Sequence, residues 1–189
     1  EATSLAALDD RRSRLAAAKL YVLVDGRASA EAFGLLVEQL IAAEVDILQL
    51  RDKALDDRTL LARARQLRTA TAGANTLFIM NDRPDLAVLA DADGVHVGQE
   101  ELSVAEARAI VGCGRLIGVS THSMEQARQA VADGADYLGV GPTFPSGTKQ
   151  FTEFPGLAFV AAVAGEISLP AFAIGGVDVR HHHEFVVDA

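Results

Sequence analysis

Short apolar runs rich in β-branched residues recur along this chain at 20–24, 45–50, 76–80, 94–97, 116–119, 136–140 and 170–174. Helical patterns fill most of the gaps, so each unit of strand and helix occupies roughly 20 to 30 residues. A strand that is apolar almost throughout is buried on both faces, which is the habit of a parallel sheet covered by helices. Two closures satisfy this pattern, an open doubly wound sheet and a (β/α)8 barrel. No Gly-x-Gly-x-x-Gly follows the first run, and polar residues gather instead at the C-terminal end of run after run. Both observations favour the (β/α)8 TIM barrel, an α/β fold. Seven strands are legible where a closed barrel has eight, so the eighth is expected to follow Ala189 and to be missing from this chain.

With 189 residues, half of them apolar, the chain suits one domain. Residues 1–19 read as a helical extension or linker and residues 20–189 as the barrel. Starting at Glu1 implies that an upstream segment has been removed. Ser103 with Glu106 and Ser123 with Gln126 have the spacing of capping boxes. Asp56 or Asp57 is placed to cap the helix through Leu60, Ala64 and Leu67, and Gly134 and Gly165 stand where C-terminal caps belong. The formal net charge of −9 argues against nucleic acid or an anionic membrane as a partner. Any anion site must then be a local basic pocket. No apolar run is long enough to span a membrane. Cys113 is the single cysteine, which rules out an internal disulfide and implies a reducing, cytoplasmic setting. A homo-oligomer is compatible with the sequence, which fixes no oligomeric state.

The second run ends in Gln49-Leu50-Arg51-Asp52-Lys53. Alternation along a strand places Gln49, Arg51 and Lys53 on one face and Leu48 and Leu50 on the other. Two cations and an amide at a buried strand end need a partner, and the one adjacent acid, Asp52, lies on the opposite face. The missing partner is then an anion such as a phosphorylated ligand, or else both cations turn out to solvent. The third run ends in Asn81-Asp82-Arg83-Pro84, which by itself is also an ordinary turn and helix start. Asp82 and Glu101, at neighbouring strand ends, could share one Mg2+, a cation that takes oxygen ligands alongside water and phosphate.

Ser120 and His122 alternate onto one face after the fifth run, which raises a Ser/His nucleophile pair, although no nucleophile elbow surrounds the serine. Hydrogen bonding to a polar ring is the competing role. Gly139 and Gly141 leave one face of the sixth strand bare, so that something bulky could approach the backbone. The loop beyond it carries Ser146, Thr148 and Lys149, a composition suited to phosphate without the P-loop spacing. Gly175 and Gly176 offer backbone amides after the seventh run. His181, His182 and His183 could mark a metal site, but consecutive histidines on a helix diverge, and a solvated helix start explains them as well.

Six segments in this order resemble the thiamine-phosphate synthase family. They are Gln-Leu-Arg-Asp-Lys, Asn-Asp-Arg-Pro-Asp-Leu-Ala, Ala-Asp-Gly-Val-His-Val-Gly-Gln-Glu, Gly-Val-Ser-Thr-His-Ser, Gly-Val-Gly-Pro-Thr-Phe-Pro-Ser-Gly-Thr-Lys and Ala-Ile-Gly-Gly, spread over about residues 20–176. The resemblance implies an enzyme that joins hydroxymethylpyrimidine diphosphate to a thiazole phosphate and releases pyrophosphate. It implies that Gln49, Arg51, Lys53 and Asn81 hold the pyrimidine diphosphate and that Ser120 contacts the pyrimidine. Asp82 and Glu101 would bind Mg2+, although the family usually has Asp where Glu101 stands. Ser146, Thr148 and the backbone of Gly176 would hold the thiazole phosphate, Lys149 would face the diphosphate, and the loop 146–154 would serve as a lid. Arg51, Lys53 and Lys149 would then be the catalytic cations. The related thiazole tautomerase, which needs no complete diphosphate grip, and a non-catalytic binder of phosphorylated ligands are the alternatives.

Overall fold

The computed structural model describes residues 2–144 and 155–177. An initial helix, α1 (Ala2–Ala17), leads into six repeated units and a last strand: β1 (Tyr21–Val24), α2 (Ala30–Ala42), β2 (Ile47–Leu50), α3 (Asp57–Thr71), β3 (Leu77–Asn81), α4 (Pro84–Leu89), β4 (Gly94–Val97), α5 (Val104–Val111), β5 (Leu116–Thr121), α6 (Met124–Ala132), β6 (Tyr137–Val140), α7 (Gly156–Glu166) and β7 (Ala171–Ala173). The strands are parallel and lie side by side in chain order from β1 to β7, forming a nearly closed barrel.

Both faces of the sheet are buried, which is why its strands read as unbroken apolar runs. Leu48, Leu50, Phe78, Met80, Val95, Val97, Ile117, Val119, Leu138 and Val140 point outward beneath the helices. There they meet Phe33 and Val37 of α2, Leu60, Ala64 and Leu67 of α3, and Phe159 and Val163 of α7. Ile47, Leu77, Ile79, Leu116, Tyr137 and Phe172 point inward and fill the barrel, with Leu8 and Leu15 of α1 packed against them.

The register climbs around the sheet in steps of two residues. Tyr21, Ile47 and Leu77 lie level, but Gly94 pairs with Ile79, Tyr137 with Gly118 and Phe172 with Gly139. This stagger is what tilted strands require to wrap into a barrel, and an even step keeps every side chain on its own face. Across the seam between the outermost strands, the rings of Tyr21 and Phe172 come within 5.2 Å, so β1 and β7 share the interior packing.

The floor is tied by aspartates that directly precede β2, β4 and β6. Asp46 accepts the backbone N–H groups of Lys19 and Leu20 at 2.9 and 2.8 Å. Asp93 accepts from Phe78 and Asp136 from Ile117, each at 2.9 Å. Each carboxylate thus holds the start of the preceding strand. Asp93 is paired with Arg11 at 2.9 Å and Arg68 at 3.1 Å, and Asp136 with Arg12 and Arg108, both at 2.7 Å. Arg11 and Arg12 belong to α1, so the helix is both packed and ion-paired onto the floor.

Several local expectations need adjustment. The run 136–140 begins one residue early, because Asp136 is a floor anchor and β6 opens at Tyr137. Ser103 and Glu106 form the reciprocal box, and Asp56 caps α3. Ser123 caps α6, but the Gln126 side chain accepts from His122 N at 2.7 Å rather than from the cap residue. Gly134 adopts a left-handed φ of 84° just past α6. Gly165 is no cap, because α7 runs on through Glu166 and ends at Ile167.

Asp136→Ala removes the acceptor for Ile117 and leaves two arginines without their carboxylate. Arg12 is half exposed, so water relieves part of that loss. The expected cost is about 2–4 kcal/mol, read as a fall in the urea midpoint. Asp136→Asn, which keeps an acceptor, should cost less.

Candidate active site

The C-terminal strand ends form the barrel mouth, and Gln49, Arg51, Lys53, Asn81, Asp82, Glu101 and Ser120 stand at or near them. On β2, Gln49 points inward and is buried, and its Nε2 donates to the Tyr21 hydroxyl at 2.6 Å. Arg51 follows, with its backbone N–H still on the ladder to Val24 O at 2.8 Å. Among the described residues its guanidinium has no carboxylate partner. Lys53 does have partners, and they come from the next two strands: its Nζ lies 2.9 Å from Asp82 Oδ2 and 3.4 Å from Glu101 Oε1. The hydrogen bond to Asp82 is the largest cause holding the Lys53 ammonium above its ordinary pKa. Part of the charge problem posed by the Gln-Leu-Arg-Asp-Lys segment is therefore solved by acids remote in sequence.

Asp52 takes the opposite face, as alternation requires. It accepts the N–H groups of Gly26, Ala54 and Leu55 at 3.0, 2.9 and 3.2 Å, tying the β1 and β2 loops together. Burial pushes its carboxyl pKa up, but these donors outweigh it and hold the group below its ordinary value.

Asn81 closes β3 beside His96, and Asp82 extends that pairing through its backbone N–H to His96 O at 2.8 Å. The Glu101 carboxylate folds back over Gly98. A Cβ there would stand 2.3 Å from Glu101 Oε2, the far end of a flexible side chain, so the carboxylate now uses the space beside the glycine. No group of three or more His, Cys, Asp or Glu converges to hold a metal among the described residues. Asp82 and Glu101 are nonetheless an all-oxygen pair that already shares one cation, the Lys53 ammonium. That donor set fits Mg2+, provided water and substrate phosphate complete the shell.

Ser120, near the end of β5, meets His96 rather than His122. Its Oγ lies 2.9 Å from His96 Nε2, whereas His122 Nδ1 lies 2.6 Å from Gly141 O. The other nitrogen of His96 faces the Tyr137 hydroxyl at 3.2 Å, and that hydroxyl lies 2.9 Å from Tyr21 OH. Among the described residues no acid bonds to the histidine, as a nucleophile triad requires, and burial lowers its pKa from 6.5 to about 4. The site therefore offers a neutral, hydrogen-bonded imidazole and no activated serine.

The bare face of β6 is filled from within the protein. A Cβ on Gly139 would press on the His96 ring at 3.0 Å, and one on Gly141 would stand 2.2 Å from Ile174 O. These glycines make room for a side chain and a neighbouring strand end rather than for a ligand. Gly175 and Gly176 both adopt left-handed φ values, 84° and 68°, and Gly175 O accepts from Phe144 N at 2.9 Å. Ser146, Thr148, Lys149, the loop 146–154 and His181, His182 and His183 lie outside the described residues. Sequence reasoning gave no role to Tyr21, Tyr137 or His96. Their signal was a polar group at an inward position within an apolar strand.

The folded protein keeps His96 neutral down to about pH 4, while the unfolded chain takes up its proton near 6.5. The unfolded state then binds more protons between these values, so stability rises with pH across that window. The contribution is complete above 6.5 and is lost towards 4, by about 3 kcal/mol in all. His96→Gln should flatten the pH dependence of the urea midpoint in that window relative to the parent protein.

Comparison with known proteins agrees with this geometry. The family profile described as thiamine monophosphate synthase matches residues 20–187. A thiamine-phosphate synthase of Rhodopirellula baltica is 47% identical over 178 residues, covering 92% of this chain and 48% of that protein. One of Gloeobacter violaceus is 47% identical over 180 residues, covering 95% and 52%. The chain thus spans about half the length of these curated relatives. The solved structure of a thiamine phosphate pyrophosphorylase from Pyrococcus furiosus superposes with a TM-score of 0.77 at 32% identity, covering 90% of this chain and 79% of that one. The strand order, the mouth residues and these matches together show that the chain belongs to the thiamine monophosphate synthase family.

Proposed function

We propose that this barrel joins hydroxymethylpyrimidine diphosphate to a thiazole phosphate, giving thiamine phosphate and pyrophosphate in a reducing cytoplasm. The observation that carries the reading is the convergence of Gln49, Arg51, Lys53, Asn81, Asp82, Glu101 and Ser120 at one mouth, with cations and acids paired there and no nucleophile among them. The Arg51 guanidinium, which has no acid partner among the described residues, can take a diphosphate oxygen. Lys53 can exchange Asp82 and Glu101 for the diphosphate. Gln49 and Ser120 orient the pyrimidine, with Asn81 at the diphosphate. Ser146, Thr148 and Gly176 are assigned to the thiazole phosphate, and Lys149 to the diphosphate. Asp82 and Glu101 would hold Mg2+, which supplies positive charge on the leaving group when bound.

The reaction needs no protein nucleophile. The bond between the pyrimidine methylene carbon and the diphosphate oxygen breaks, and its electron pair leaves with the diphosphate. The thiazole nitrogen then donates its lone pair to that carbon, forming the C–N bond. No proton changes hands in either event. What the protein supplies is neutralisation of charge that grows on the departing oxygen, the largest lever available to such a site, and exclusion of water from the electron-poor carbon.

Purified protein given the pyrimidine diphosphate, the thiazole phosphate and Mg2+ should release pyrophosphate and form thiamine phosphate only when all three are present. Rearrangement of the thiazole alone would favour a tautomerase, and binding of both substrates without release would favour a non-catalytic binder. Arg51→Ala should lower kcat by about 100-fold or more with an unchanged circular dichroism spectrum; unchanged turnover removes Arg51 from the mechanism. Asp82→Ala should raise the Mg2+ concentration needed for half-maximal activity, and an unaltered titration refutes its role as a ligand.

A further inference from the structure

A chain of polar groups runs through the barrel from Gln49 to Ser120, and with the Gln49 amide turned so that Nε2 faces Tyr21 its contacts favour one direction of donation. Gln49 Nε2 donates to the Tyr21 oxygen at 2.6 Å. The single hydrogen of Tyr21 then goes to Tyr137, 2.9 Å away. Tyr137 in turn donates its hydrogen to His96 Nδ1 at 3.2 Å. A neutral imidazole that accepts at Nδ1 carries its hydrogen on Nε2, so His96 donates to Ser120 Oγ at 2.9 Å. The reverse order would make the Tyr21 oxygen accept twice and strand its own hydrogen in the interior, at a cost of about 1–3 kcal/mol. Tyr137 and His96 are buried, and burial holds the Tyr21 hydroxyl pKa above its ordinary value, so water gives such a mismatch little relief. Ser120 is partly exposed, and its backbone carbonyl is already taken by Gln99 Nε2 at 2.7 Å. With one lone pair of Oγ taken by His96, the hydroxyl hydrogen is free to be offered at the mouth.

We propose that Gln49, Tyr21, Tyr137 and His96 form a one-way positioning chain that frees the Ser120 hydroxyl hydrogen for donation, so that it is matched by an unprotonated ring nitrogen of the pyrimidine. The identity of the ligand rests on the function proposed above; the direction of the chain does not. The arrangement selects among rings of similar shape. A ring nitrogen that accepts is matched, and a C–H or N–H at the same place leaves the serine hydrogen without an acceptor.

The direction is read from the ring nitrogens of His96 in unliganded, 15N-histidine-labelled protein by long-range proton–nitrogen correlation, assigned with His96→Gln. The Nε2–H form is expected, and the Nδ1–H form overturns the chain. Gln49→Glu, whose carboxylate accepts only, should reverse the chain and move the hydrogen to Nδ1. Should that variant not fold, Tyr137→Phe cuts the chain and should leave His96 with a mixture of both forms; a histidine unmoved by the cut also overturns the proposal. The ligand half is tested by calorimetry with pyrimidine diphosphate analogues in which each ring nitrogen is replaced in turn by C–H. One replacement should weaken binding about tenfold, and Ser120→Ala should abolish the difference. Equal binding of all analogues overturns this half. A protein that binds no pyrimidine diphosphate overturns it together with the proposed function, and the tautomer then decides the chain alone.

Discussion

Tyr137 stands inside the barrel only because Gly118 has no side chain. A Cβ on that glycine would lie 2.1 Å from the tyrosine ring, a clash with a rigid group that has no room to yield. Much of the site follows from this one accommodation. With its ring seated there, the Tyr137 hydroxyl reaches both Tyr21 and His96, and His96 in turn occupies the space left by Gly139. Phe172 packs edge-on against Tyr137 at 5.8 Å, bringing β7 into the same cluster. Only 5% of the chain is aromatic, yet these rings are gathered where they fill the interior of the barrel.

Charge is arranged differently at the two ends. At the floor, the carboxylates of Asp93 and Asp136 are almost entirely shielded, and each is held by two arginines and a backbone N–H. Such satisfied pairs are structural, since removing one partner strands the rest. At the mouth, Lys53 is more than half exposed and shares two acids at 2.9 and 3.4 Å. Water screens those pairs strongly, so they are readily exchanged. The mouth of this acidic protein thus carries a cation that its own carboxylates hold only loosely.

The alternation of apolar runs with capped helices carried the architecture. Burial on both faces leaves little ambiguity about parallel strands, and the boundaries in the structure move by only a few residues. The mouth of the barrel was legible for the same reason, because charged residues at the end of a buried strand demand an explanation. What escaped was long-range. Nothing local tells Lys53 that Asp82 and Glu101 lie beside it, and nothing local separates His96 from His122 as the partner of Ser120. Asp46, Asp93 and Asp136 read as strand edges or turn residues, although each fastens the strand before it. The glycines of β6 show the limit clearly: a bare strand face is visible in a sequence, but whether protein or ligand fills it depends on neighbours that only the fold supplies.

The helix α1 crosses the end of the barrel opposite the mouth, with Leu8 and Leu15 against its interior and Arg11 and Arg12 fastened to the floor. The helix therefore covers the pole opposite the candidate site. A partner fused ahead of Ala2 would leave from the sealed pole and lie clear of the diffusion path. The same helix would resist being pulled away by such a partner's movements. Packing and charge thus fasten the first helix to the floor and leave the mouth clear of it.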